Sequence, residues 1–484
     1  MALKFGTSGV RGLVTEMTDR ECYLYTRAFI KHLKSLTEIK SIAISGDRRG
    51  STLRIMTAVA KAVTDDGLQV DYCGLIPTPA LAYHAMLDGK ASIMVTGSHI
   101  PDDRNGIKFY MPWGEILKKD EQQVTRYHPI IANEEQPSCF DESGMFLDNV
   151  VSLGEANPVA TQRYVERYTS LFPNDYLNGV RVVFYQHSTV GRDVIPEILE
   201  KLGSEVIRVA PSDQFVPVDT EAVSDPEQLA AWVKEYGADL LASADGDSDR
   251  PLVVDELGNI IRGDVMGILT ARFLNADSVA VPVSCNTALE KSDYFPETMR
   301  TRIGSPFVIE AMLSAIEKGK ESVVGYEANG GFLTGSDIAI GEHTLTALPT
   351  RDAVIPVLAL LALAKESGGS VSRLVNNLPG RFTASGLIKE FPSEVGQRLV
   401  AEINHQGVAL IERYFGESFG HVKSVDNTDG VRITFDRDDI VHMRPSGNAP
   451  EFRCYTESSS EAEAEKNSAC ALKIINEKIR PDFT

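Results

Sequence analysis

Apolar positions recur along this chain in one repeated layout. A short β-branched run leads into a polar loop with Gly or Ser, then an amphipathic stretch, a Gly-bearing turn and a second apolar run. The first copy runs from Ser41–Ser45 through GDRRGS to Leu53–Thr64 and then Gln69–Cys73. Its helical stretch sets Leu53, Met56, Val59, Ala60 and Val63 on one face, the spacing of a half-buried helix. The second runs from Val180–Tyr185 through QHSTVG to Asp193–Leu202 and Glu205–Val209. The third joins Ser278–Val283, a helix near Pro306–Glu317 and Ser322–Gly325. Strand–helix–strand repeats predict parallel pairing through right-handed crossovers, hence three similar α/β domains with mixed sheets.

The last hundred or so residues change texture. Val431–Phe435 and Asp439–Met443 read as a hairpin, Glu451–Thr456 as a further strand and Glu461–Ile479 as a helix opened by Ser460 with Glu463 three residues on. This is the pattern of a smaller α+β domain. Boundaries are expected near 150, 260 and 375, giving domains 1–150, 151–260, 261–375 and 376–484. A chain of 484 residues is long enough for three or four such cores.

Composition narrows the possibilities. The hydrophobic fraction of 43% is that of a packed protein, and the net charge of -20 argues against a general affinity for nucleic acid or anionic membrane. Six scattered cysteines without a CxxC pair predict reduced thiols in a cytoplasmic protein, and nine histidines show no zinc spacing. The longest apolar run, Ala353–Ala364, is shorter than a membrane helix needs, and MALKFGTSG lacks the apolar core of a signal peptide.

Four segments could carry chemistry. In VTGSHIPDDRNGIKFY, Ser98 follows the strand Ser92–Val95, at the carboxyl end where α/β sheets place ligands; Gly97 leaves its hydroxyl uncrowded. Alone, such a serine or His99 is more often structural. In Asp245-Gly-Asp-Ser-Asp-Arg250, carboxylates at alternate positions converge on a hard cation and repel one another without one. An EF-hand needs Gly at the sixth position, where Arg250 stands, and helical flanks, where strands are expected. An aspartyl-phosphate nucleophile at Asp245 is a second reading, and a metal site serving a phosphate held elsewhere a third. The loop Glu327-Ala-Asn329-Gly-Gly offers a carboxylate and an amide to vicinal hydroxyls. Arg444-Pro-Ser446-Gly447-Asn448-Ala-Pro-Glu-Phe-Arg453 reads as an anion cradle, with planar guanidiniums matched to phosphate oxygens. There is no GxxxxGK[ST] motif.

Together and in this order, with the opening FGTSGVRG, these segments resemble the α-D-phosphohexomutases from Phe5 to Arg453. The resemblance implies four domains around a central cleft and reversible conversion of a hexose 6-phosphate and hexose 1-phosphate through a hexose 1,6-bisphosphate. It implies a phosphoserine at Ser98 and Mg²⁺ held by Asp245, Asp247 and Asp249 with a phosphoserine oxygen. It implies sugar contacts at Glu327 and Asn329, and a phosphate site at Arg444, Ser446, Gly447, Asn448 and Arg453. Arg11, Lys108 and Arg250 match basic positions near the transferring phosphate, and Lys108 and His99 are both candidates for proton transfer. Partners would be small sugar phosphates, the chain a monomer or homodimer.

Two departures bear on the sugar. Glu-Ala-Asn replaces the Glu-Gln-Ser of glucosamine-acting relatives, and Ser305 stands where many relatives carry His. Mannose is the first expectation, glucose or both sugars the second, glucosamine less favoured. An aspartyl-phosphate enzyme is disfavoured because Asp249 breaks the DxDx[TV] pattern, and a non-catalytic sugar-phosphate sensor is a further class.

Overall fold

The computed structural model describes residues 3–6, 9–134, 139–148, 151–445 and 450–483. It divides into two compact units, Met1–Val279 with Gly304–Val375, and Ala280–Ile303 with Asn376–Thr484.

In the first unit, the N-terminal sheet runs in the order Lys4–Phe5, Gly9–Leu13, Arg104–Met111, Ala91–Val95, Ser41–Gly46, Gln69–Tyr72. Ser41–Gly46 lies parallel to both Gln69–Tyr72 and Ala91–Val95, the pairing the strand–helix–strand pattern predicts. Arg104–Met111 then runs antiparallel beside Ala91–Val95, so the sheet is mixed. Helix Thr52–Asp65 covers it with Ile55, Met56, Val59, Ala60 and Val63, all buried. Leu53 departs from the expected face and is 62% exposed. Six residues from Val59 rotate it about 120° around the helix, to the edge of the buried stripe.

A second sheet orders Ile260–Ile261, Pro251–Asp255, Leu240–Ala244, Arg181–His187 and Glu205–Pro211. Arg181–His187 is parallel to both Leu240–Ala244 and Glu205–Pro211, while Leu240–Ala244 and Pro251–Asp255 form an antiparallel hairpin. That hairpin carries the Asp245–Arg250 loop at its tip. Val323–Tyr326, Phe332–Thr334 and Leu348–Asp352 pair antiparallel in the third region, below helix Ser305–Glu317. The apolar run after Asp352 forms helix Val354–Glu366, nearly all of it buried; among the described residues no helix is long and apolar enough to cross a membrane. All six cysteines are free.

The second unit holds an antiparallel sheet in the order Phe382–Ile388, Phe452–Ser458, Ile440–Pro445, Val431–Phe435, Val422–Asp426. Helices Ser393–Gln406, Val408–Phe419 and Glu461–Ile474 cover its apolar face through Leu399, Phe415 and Ala471. The Ser460 hydroxyl caps the last of these by accepting from the Glu463 N–H at 3.3 Å. Beyond Ile474 the chain continues helically through Ile475–Ile479 with a wider, π-type turn.

Candidate active site

Ser98 sits three residues beyond strand Ala91–Val95, in the left-handed region at φ 56°. What holds a non-glycine residue there is a buried anchor beneath it. Asp47, at the end of the neighbouring parallel strand, accepts from Thr96 Oγ1 (2.7 Å), Gly97 N (3.3 Å), Thr52 Oγ1 (2.7 Å) and Arg49 Nε (3.0 Å). The Arg49 guanidinium then donates to the carbonyls of Ser98 (2.9 Å), Ile100 (2.6 Å) and Pro101 (2.7 Å), strapping the loop down. A Cβ at Gly97 would fall 2.7 Å from that guanidinium, so only glycine admits the strap. Asp47→Ala would strand a buried guanidinium. We expect a loss of about 3–5 kcal/mol, read as a lower melting temperature, with turnover falling as the loop loosens.

The metal-loop backbone packs onto this corner. A Cβ at Gly246 would lie 2.7 Å from the Ser98 carbonyl oxygen. The Ser98 hydroxyl donates to Asp245 Oδ2 at 2.5 Å, joining groups 147 residues apart. The Thr189 hydroxyl donates to the Asp245 main-chain carbonyl at 2.7 Å and fixes the loop.

Asp245, Asp247 and Asp249 are fully buried, and each offers a carboxylate oxygen within 4.8 Å of the others. Burial, then repulsion from Asp247 and Asp249, pushes Asp245 well above the ordinary carboxylate range. Asp249 is held low despite its burial, by Arg351, Lys108 and Arg250. Lys108 donates to Asp247 Oδ2 and Asp249 Oδ2, both at 2.6 Å, and Thr78 Oγ1 donates to Asp247 Oδ2 at 2.5 Å. The other oxygens, Asp247 Oδ1 and Asp249 Oδ1, are buried without a hydrogen-bond partner among the described residues. Hard, converging oxygen donors with orphaned lone pairs fit a divalent cation such as Mg²⁺.

Around the triad the charge reverses. Arg250 lies 3.6 Å from Asp249 Oδ1, and its guanidinium donates to His99 Nδ1 at 2.9 Å. Burial, then Arg250, pulls His99 down to about 4, so the imidazole is neutral near pH 7, with Nδ1 accepting; Nδ1 is 3.4 Å from Ser98 Oγ. Burial, then the guanidiniums of Arg250 and Arg351, pull Arg11 down to about 10. Cations that crowd one another this closely create a local positive field inside a chain of net charge -20.

Arg351 is the functional residue that sequence reasoning missed. Only 1% exposed, it donates from Nε to Asp249 Oδ2 at 3.1 Å and from Nη1 to Glu327 Oε2 at 3.2 Å. It thereby ties the Asp245–Arg250 loop to the loop that begins at Glu327. A charged Arg351-Asp352 pair just before a long apolar run was the available signal. Asn329 uses its side-chain carbonyl to accept from the Gly331 N–H at 3.0 Å, leaving its amide nitrogen as the group to offer a ligand. Ser305, buried at the start of its helix, donates to Glu115 Oε1 at 2.7 Å.

In the second unit, Arg444 and Arg453 face each other in antiparallel register, and Arg444 Nε donates to Asp429 Oδ1 at 2.9 Å. Two guanidiniums side by side at the mouth of one hairpin suit an anion. Ser446, Gly447 and Asn448 lie outside the described residues.

Comparison with known proteins agrees with this architecture. Four family models match in order: phosphoglucomutase/phosphomannomutase alpha/beta/alpha domain I at residues 2–134, domain II at 162–258, domain III at 262–382, and the C-terminal domain at 394–469. The chain is 42% identical to a phosphomannomutase of Salmonella muenchen, over 99% of this chain and 96% of that one. It is 41% identical to a phosphomannomutase of Sinorhizobium fredii, over 99% and 100%. A crystal structure of a phosphoglucomutase/phosphomannomutase family protein from Burkholderia thailandensis superposes with a TM-score of 0.74 at 20% identity, covering 98% of this chain and 97% of that one. The chain belongs to the phosphoglucomutase/phosphomannomutase family.

Proposed function

We propose that this protein is a cytoplasmic phosphohexomutase that interconverts mannose 6-phosphate and mannose 1-phosphate through a phosphoserine at Ser98. The observation that carries the reading is the 2.5 Å bond between the Ser98 hydroxyl and Asp245, which seats a nucleophile directly on the acidic triad. Two full-length relatives called phosphomannomutases support mannose as the sugar.

Asp245, Asp247 and Asp249 would hold Mg²⁺, together with an oxygen of the serine-borne phosphate. When bound, the ion supplies positive charge that offsets the charge growing on the transferring group. The chain's own cations, Arg11, Lys108 and Arg250, orient the phosphoryl oxygens. In the forward step the phosphorus–oxygen bond to Ser98 breaks and one to the free sugar hydroxyl forms. The hydroxyl proton passes to His99 Nδ1, whose lone pair the Arg250 guanidinium releases as it turns to the phosphoryl oxygens, whereas Lys108 stays bound to two carboxylates. The hexose 1,6-bisphosphate then turns over, and its other phosphate returns to Ser98. Glu327 and Asn329 read sugar hydroxyls in both orientations, and the Arg444–Arg453 segment, with Ser446, Gly447 and Asn448, cradles the idle phosphate.

The test is an initial-rate comparison of mannose, glucose and glucosamine 1-phosphates with Mg²⁺ and catalytic hexose 1,6-bisphosphate. Turnover led by mannose 1-phosphate is expected. Equal glucose turnover would replace this reading with a dual-specificity mutase; binding without turnover of any sugar would make the protein a sensor.

A further inference from the structure

One loop touches both the serine corner and the sugar loop, and none of the four motifs includes it. Residues 212–225, following strand Glu205–Pro211, leave the second sheet and return to it. Val216, Val218 and Val223 pack into the core of that sheet, and the Val216 N–H donates to Ser188 Oγ at 2.8 Å, so the loop is fastened along its length. At one end the Phe215 ring covers the Arg49 guanidinium at 3.9 Å, the same guanidinium that straps the Ser98 carbonyl. At the other, Thr220 Oγ1 donates to the Asn329 carbonyl at 2.8 Å.

On either side of Thr220 the loop presents a carboxylate, Asp219 before it and Glu221 after it. Asp219 is near enough to act on the charge of His99, and Glu221 on that of Arg250, Arg262 and Glu327. Glu221 directly follows Thr220, so the Thr220–Asn329 bond seats it beside the loop that carries Glu327 and Asn329, with its side chain exposed to solvent. Its carboxylate receives no hydrogen bond among the described residues. Nearby, Arg262 is paired with Asp264, its Nε 3.4 Å from Asp264 Oδ1. Glu221, Glu327 and Asn329 thus come from two loops held together by the Thr220 bond, and they offer two carboxylates and an amide. A polyhydroxylated ring satisfies that set, because each hydroxyl both donates and accepts.

We infer that Glu221 is a further sugar-reading residue, accepting a hydrogen bond from a ring hydroxyl of the hexose phosphate alongside Glu327 and Asn329. The inference rests on the mutase reading and adds to it a specificity element supplied by the second domain. Thr220 sets its position by fixing the loop to the sugar loop.

The experiment measures kcat/KM of wild type and Glu221→Ala on mannose 1-phosphate and its 2-, 3- and 4-deoxy analogues. An accepted bond from a hydroxyl to a carboxylate is worth about ten- to hundredfold. The variant should lose that factor on the parent sugar and on two analogues, yet equal wild type within about twofold on the analogue lacking the hydroxyl that Glu221 reads. Because Glu221 is exposed, an unchanged melting temperature is expected in the variant. A loss of the same size on all four substrates, or no loss on the parent, overturns the inference while leaving the mutase reading intact. A wild-type chain inactive on every hexose phosphate overturns the mutase reading, and this one with it.

Discussion

Ser98→Ala is expected to lower turnover on the order of 10⁴-fold or more while the protein melts where wild type does. The hydroxyl is the only atom removed, its one strong bond is to Asp245, and alanine meets the same backbone cost at φ 56° as serine. No phosphate should be recovered on the chain after incubation with hexose bisphosphate. The chemistry of that phosphate is itself a check. A phosphoserine survives acid and hydroxylamine, whereas a phosphate carried on Asp245 would be lost to both. Substantial turnover in Ser98→Ala, or a hydroxylamine-labile phosphate, would dismiss the serine as carrier.

Asp247→Asn should be the second most damaging change. It removes one charge from the triad, weakens the ion pair with Lys108 and alters the acceptor for Thr78, while keeping the side chain's shape. We expect the Mg²⁺ concentration for half-activation to rise about ten- to hundredfold and the saturated rate to fall with it. A binding readout separates the metal from the chemistry. Mg²⁺ at about one hundred times its dissociation constant should stabilise the wild-type fold by about 2.7 kcal/mol, seen as a raised melting temperature. Asp247→Asn should show little of that shift at the same concentration. An equal shift in both proteins would remove the triad as the metal site.

What the sequence made legible follows from how each group is encoded. Ser98, His99 and Lys108 fall within eleven residues of one segment, and the three aspartates alternate in one loop, so local spacing alone announced them. Arg351 acts through partners 102 and 24 residues away, and the one local mark, a charged pair with Asp352 ahead of an apolar run, says nothing of those partners. The same holds for Thr78, whose bond to Asp247 spans 169 residues. The second amphipathic stretch, expected over Asp193–Leu202, forms a helix that buries Val194, Ile195, Ile198 and Leu199, because its apolar residues cluster. Leu53 was misplaced because a leucine at the first turn of a helix satisfies the apolar spacing while pointing past the edge of the sheet. Asp47 was invisible for a different reason: a buried carboxylate beside two arginines in GDRRGS looks like an ordinary charged loop until its hydrogen bonds are counted.

The ring of Phe215 over Arg49, and the bond from Ser98 to Asp245, mean that the serine corner is completed by residues from beyond its own domain. The piece that carries the serine is therefore not a self-sufficient phosphate acceptor. A fragment of residues 1–150 would lack both the carboxylate neighbour of the serine and the cover on its strap. Such a fragment should stay unlabelled until the remainder of the chain is supplied in trans. Evolution could thus exchange sugar specificity by altering loops, but could not donate this domain by itself as a portable phosphorylation module.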